Sequence, residues 1–120
     1  MTVRRGSLTF AAADGRQARL DTVWRTESFL ERNRGLLGRA PLKEAEGLLI
    51  TPCNAVHSLG MRYAIDLAYL DRRGRIRRLV RHLRPWRASL CLAAASVLEM
   101  PAGAVDRLGL TPDMEAIWHD

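Results

Sequence analysis

Apolar and polar residues alternate along most of this chain, and turn-forming residues cut the alternation into short runs. "SLTFAA" (7–12) and "QARLDTVW" (17–24) flank "ADGR", and an Asp-Gly pair between two alternating runs predicts a β-hairpin. The period then lengthens. In "RTESFLERNRGLLGR" (25–39), Phe29, Leu30, Leu36 and Leu37 fall on one helical face, and Ser28 and Glu31 have capping-box spacing. A helix is expected there, ended by Gly35 or by Gly38 shortly before Pro41. Short runs return after it: "GLLIT" (47–51), "AIDLAYLD" (64–71), "RIRRLVRHL" (75–83), "SVLEM" (96–100) and "MEAIW" (114–118) each read as a strand. "RRG" joins the second and third of these tightly enough for an antiparallel hairpin, and "AGAVDRLG" (102–109) reads as a helical turn or short helix. The expected class is therefore α+β and mainly β: a compact, barrel-like antiparallel sheet with one packed helix and a short second one.

Composition narrows this picture only a little. A chain of 120 residues builds one hydrophobic core, and without a repeat or linker a single domain over 1–120 is expected. With 48% hydrophobic and 27% charged residues the chain sits among globular proteins, away from the disordered class. No apolar run approaches the roughly 20 residues that span a bilayer. The stretch from Leu8 to Ala13 is broken by Thr9 and is too short for the core of a signal peptide, so a cytoplasmic protein is expected, with Cys53 and Cys91 as thiols. The net charge of +6 suggests attraction to nucleic acid or acidic surfaces. However, 18 of the 19 basic residues are arginine, with Lys43 the exception, and a coding bias toward arginine and alanine accounts for that as well as a binding face does.

Candidate chemistry gathers in "TPCNAVHSLGM" (51–61), which sets Cys53, His57 and Met61 at four-residue intervals. Such soft and borderline donors suit Cu(I) or, without the thioether, zinc. Extended, the segment would hold Cys53 and Met61 roughly 26 Å apart. As a helix it would let Cys53 and His57 chelate but leave Met61 about 12 Å along the axis from Cys53. Only a folded loop joins all three. Cys53 and His57 also have the composition of a nucleophile and its base, with Asp66 to orient the imidazole. The plainer account of Asp66 is structural: a carboxylate at such a place accepts backbone N–H groups or pairs with Arg34 or Arg62. Glu99 reads in the same way. A third chemistry lies between Arg72 and Arg87, where eight arginines surround Trp86. Arg77, Arg81 and Trp86 are candidates for phosphate contact and base stacking. Strand alternation divides those arginines between two faces, and a solvated basic edge explains them equally well.

Several segments then fall into a known order. "RNRGLLGR" (32–39), "GLL" (47–49), "PCNAVHSLGMRYAIDLAYLDRRGRI" (52–76), "LRPWR" (83–87), "VLEMPAG" (97–103) and "GLTPD" (109–113) together resemble the family catalogued as domain of unknown function 192, from about Thr26 onward. The chain departs from the family pattern at Ala64, where a proline is usual, and at Pro112-Asp113, where the pattern has glycine–aspartate. With His57, Gly60 and Met61 it resembles the branch that lacks an aromatic–methionine pair in the central loop. The resemblance implies a barrel-like β fold with a packed helix and brings no established activity. The expected role is a small binding module that uses the loop 52–62 with Asp66 to recognise a small ligand or a partner protein. Cys53, His57, Met61, Asp66 and Arg34 are its candidate contacts. Nucleic-acid binding and a Cys53/His57 metal or enzyme site are the alternatives, and the cofactor is left open.

Overall fold

The computed structural model describes residues 3–26 and 41–120. Among the described residues nine strands and one short helix follow in order: β1 (Val3–Ala11), β2 (Gln17–Thr26), β3 (Glu46–Ile50), β4 (Ala55–His57), β5 (Ile65–Leu70), β6 (Ile76–Leu83), β7 (Ala88–Leu90), β8 (Ser96–Pro101), α1 (Ala104–Leu108) and β9 (Glu115–His119). The hairpin predicted around Asp14-Gly15 is present, with Gly15 at φ 97, a backbone conformation that glycine adopts without a Cβ clash. Asp71 holds the β5–β6 turn by accepting the backbone N–H groups of Arg73 and Arg75. The helix expected over 25–39, and Arg34 within it, lie outside the described residues except at Arg25 and Thr26. Those two extend β2, because Arg25 pairs with Arg4 on one side and with Leu49 on the other.

Seven strands form one sheet in the order β6-β5-β8-β3-β2-β1-β9. Every pair is antiparallel except β2–β3, whose parallel register runs from Thr22↔Glu46 to Thr26↔Ile50. A parallel pair needs a long crossover rather than a turn, and residues 27–45 supply the length. The sheet curls until its ends meet: Arg75 bridges to Glu115, Ile76 donates to the Met114 carbonyl, and Ala116 donates to the Gly74 carbonyl at 2.7 Å. The barrel-like form expected from the sequence is thus present as a curled sheet that touches itself at one corner.

Curling gives the sheet an inner and an outer core. Leu8, Phe10, Leu20, Val23, Leu98, Met100 and Met114 fill the inside with Ala104 and Val105 of α1. Leu48, Ile50, Leu67, Tyr69 and Val97 face outward and are covered by Val56, Met61 and Leu83. β5 is buried along its whole length, with Ala68 and Leu70 turned inward and Ile65, Leu67 and Tyr69 outward. That is why "AIDLAYL" reads as nearly continuous apolar sequence with one acid in it. Among the described residues, no helix is long and apolar enough to cross a membrane.

Candidate functional site

The loop 52–62 is more structured than its sequence indicates. After the cis Thr51-Pro52 bond, Cys53 donates its N–H to the Ala95 carbonyl, and its thiol is 3.1 Å from the Ala55 carbonyl. Residues 55–57 then form β4, which pairs with β7 to make a two-stranded ribbon in the register Ala55↔Leu90, Val56↔Ser89, His57↔Ala88. Three-residue strands are too short to show a period in the sequence, so neither was expected. Pairing brings period two with it: Val56 turns into the outer core while Ala55 and His57 face solvent.

This places the candidate residues apart. Cys53 and Met61 both pack against the outer core, whereas His57 points outward from the opposite face of the ribbon. Asp66 is 1% exposed and belongs to the inner side of β5, on the far side of the sheet from Met61. Its two oxygens are taken by backbone donors, Oδ1 by the His82 N–H at 2.8 Å and Oδ2 by the Val105 N–H at 2.9 Å. Asp66 therefore clamps the start of α1 and the end of β6, where His82 adopts a positive φ of 55. Among the described residues, no three His, Cys, Asp or Glu groups converge to hold a metal ion. Glu99, 3% exposed, stands opposite Leu48 and Leu67 on the outer side, so the two buried acids occupy different faces.

Ser58 was not singled out from the sequence, and it organises the whole region. It is fully buried; its Oγ donates to the Arg84 carbonyl at 2.5 Å and accepts the Arg87 N–H at 2.9 Å. Its backbone exchanges further bonds with the Arg87 carbonyl and the Trp86 N–H. A lone serine between His57 and Leu59 carries no sequence signal for such a role. Beneath the ribbon lies Tyr69, fully buried, with Ser89 beside its hydroxyl but no hydrogen bond closed between them. Burial pushes the Tyr69 phenol above its ordinary value; the Ser89 hydroxyl opposes that, and the Cys53 and Cys91 thiols lie within electrostatic reach.

The arginines of β6 divide as strand alternation predicts. Arg77 reaches Asp71 at 3.6 Å, Arg81 holds Asp106 at 2.8 Å, and Arg78 caps the Leu90 carbonyl. Burial alone would raise the Asp71 carboxyl, but the Arg75 and Arg73 N–H groups and the Arg77 guanidinium hold it below its ordinary value. Trp86, at a positive φ of 65, is exposed.

Two hollows meet where the barrel end opens. One, of about 370 Å³, lies among Arg25, Thr51, Arg72, Arg73, Ser96 and Trp118. The other, also about 370 Å³, is bounded by Pro52, Cys53, Asn54, Arg72 and Ala94. Arg72 and Ala95 belong to both, so they form one groove. Arg25 stacks 5.6 Å from the Trp118 ring centroid at one end. Arg72 and Arg73 make no ion pair with any described residue. Half-buried hydroxyls beside exposed guanidinium groups that have no acidic partner among the described residues favour a small anion.

Comparison with known proteins agrees with this architecture. The model of the family described as Uncharacterized ACR, DUF192, matches residues 10–118, which reaches back into β1 beyond the segments recognised by motif. A crystal structure from Sinorhizobium meliloti 1021, described only provisionally as a transcription regulator, superposes with a TM-score of 0.87 at 22% identity, covering 98% of this chain and 96% of that one. A protein of unknown function from Novosphingobium aromaticivorans DSM 12444 superposes with a TM-score of 0.81 at 18% identity, covering 97% and 85%. At such identities the likeness is one of fold. No curated protein matches the chain.

Proposed function

The chain belongs to the domain of unknown function 192 family, and from the chemistry of its own groove we propose that it is a small-ligand binding module that takes a small anion at the open end of the barrel. One observation carries this reading: Arg72 and Arg73 line a hollow with Thr51 and Ser96, the Asp71 carboxylate in the same lining is taken by Arg77 and by the N–H groups of Arg73 and Arg75, and neither guanidinium has an acidic partner among the described residues. Of the loop 52–62, the first part (Pro52, Cys53 and Asn54) takes part in the groove; His57 and Met61 do not. Asp66 acts at a distance, by holding the ends of β6 and α1. Arginine suits a phosphate or carboxylate because its planar fork donates two parallel hydrogen bonds.

The test is thermal unfolding with pyrophosphate, citrate and a nucleoside monophosphate titrated in turn. A ligand present at about 100 times its Kd stabilises the fold by about 2.7 kcal/mol. At least one of the three is expected to raise Tm in a saturable way, with the rise abolished in Arg72→Ala. No shift with any of them, or a shift that persists in Arg72→Ala, overturns the reading.

A further inference from the structure

The ribbon of β4 and β7 turns the wrong kind of face to water. Period two puts Val56 and Ser89 inside and Ala55, His57, Ala88 and Leu90 outside, and in a ribbon over a core the outside is normally polar. Here, His57 apart, it is apolar, and the loops at its two ends extend it. Leu59 is 48% exposed, Trp86 63%, Leu90 50% and Leu92 79%; among the described residues only Ile117 is a further large exposed hydrophobic. Trp86 donates its N–H to the Ser58 carbonyl, which sets it beside Leu59, while Leu90 and Leu92 stand at the other end of the ribbon.

Charge completes the pattern. Residues 47–65 and 72–98 hold nine arginines and no aspartate or glutamate. Arg62, Arg84 and Arg87 on the flanking loops are exposed and form no ion pair with any described residue. From this juxtaposition we propose that the β4–β7 ribbon docks on an anionic lipid bilayer, with Trp86, Leu59, Leu90 and Leu92 entering the headgroup region and the flanking arginines holding lipid phosphates. The chemistry decides among acidic partners. Nucleic acid uses the arginines and one stacking tryptophan but has no role for three exposed leucines. A hollow of about 350 Å³ lies among Ala55, Val56, His57, Ala88, Ser89 and Leu90, where a protein partner would anchor, whereas Leu92 and Trp86 project from loops outside its lining. Projecting aliphatics beside a tryptophan, with arginines that have no acidic partner among the described residues, are what an interfacial contact requires, since tryptophan prefers the headgroup level and anionic lipid attracts the guanidinium groups. The site is separate from the groove at Arg72.

Co-sedimentation of the full chain with vesicles tests this, using phosphatidylcholine alone and phosphatidylcholine with roughly a third phosphatidylglycerol. Binding to the anionic vesicles only is expected, with a blue shift in tryptophan emission that is lost in Trp86→Phe. Leu92→Asp is expected to weaken binding at least about tenfold, as burying a charge in the interface demands. Circular dichroism of each variant confirms folding, which exposed positions such as 92 do not threaten. Absence of binding to anionic vesicles at low salt overturns the proposal. So does binding that is indifferent to both Leu92→Asp and Trp86→Phe, since that would be adsorption by charge alone. Tighter binding of a single-stranded RNA oligonucleotide than of the vesicles, or a dimer in solution that Leu92→Asp dissociates, would assign the face to those partners and equally overturn it.

Discussion

Asp66 shows how a single side chain can be prominent in a sequence for a reason unrelated to chemistry. An acid inside an apolar strand looks like a site, but here both oxygens are occupied by backbone donors that nothing else would satisfy. Asp66→Ala leaves the N–H groups of His82 and Val105 without acceptors and is expected to destabilise the fold by about 2–4 kcal/mol in urea unfolding, with Asp66→Asn losing less. Tyr69 gives a prediction in pH. Its phenol is held above its ordinary value by burial, so above pH ~10 the unfolded chain releases a proton that the folded chain keeps. Stability therefore falls as pH rises through that range. Tyr69→Phe removes this component and, because the hydroxyl closes no hydrogen bond, is expected to leave stability at neutral pH unchanged or slightly raised.

The strands that the sequence announces are those long enough to show a period. β5, β6, β8 and β9 lie within a residue or two of "AIDLAYLD", "RIRRLVRHL", "SVLEM" and "MEAIW", and α1 lies inside "AGAVDRLG". β4 and β7 were missed because three residues cannot establish alternation; they exist because Ser58 ties the loop 84–87 to the loop 57–61 and so brings the two segments into register. Ser58→Ala is accordingly expected to cost about 1–3 kcal/mol and to raise amide exchange selectively at Val56, Ser89 and Trp86. A uniform loss of protection across the sheet would mean that the ribbon is not held in this way.

Closure of the sheet depends on a close approach at the β6–β9 corner. Gly74 sits at φ 84 with the Ala116 carbonyl oxygen where a Cβ would lie, 2.3 Å away. Gly74→Ala is expected to cost at least about 2 kcal/mol and lower Tm by several degrees, because the residue is strained and the two strand ends must part. Gly15→Ala, at a similar φ of 97 but in open space, serves as the control for strain alone. A smaller effect at Gly74 than at Gly15 would show that the corner contact adds nothing.

By itself the sequence determined the class of fold, the positions of most strands, the one short helix described and the family, because alternation, turn chemistry and motif order are local properties that survive in one dimension. It could not determine which strands are neighbours: the parallel β2–β3 pair and the corner closure at Gly74 depend on contacts between residues far apart in the chain. The same limit governs the candidate sites. Cys53, His57 and Met61 are evenly spaced along the chain, yet ribbon pairing turns His57 outward and the other two toward the core. Arg25, Arg72 and Trp118, separated by most of the sequence, meet at one groove. Side-chain direction is set by pairing register, and register is decided only when the sheet curls around both of its cores.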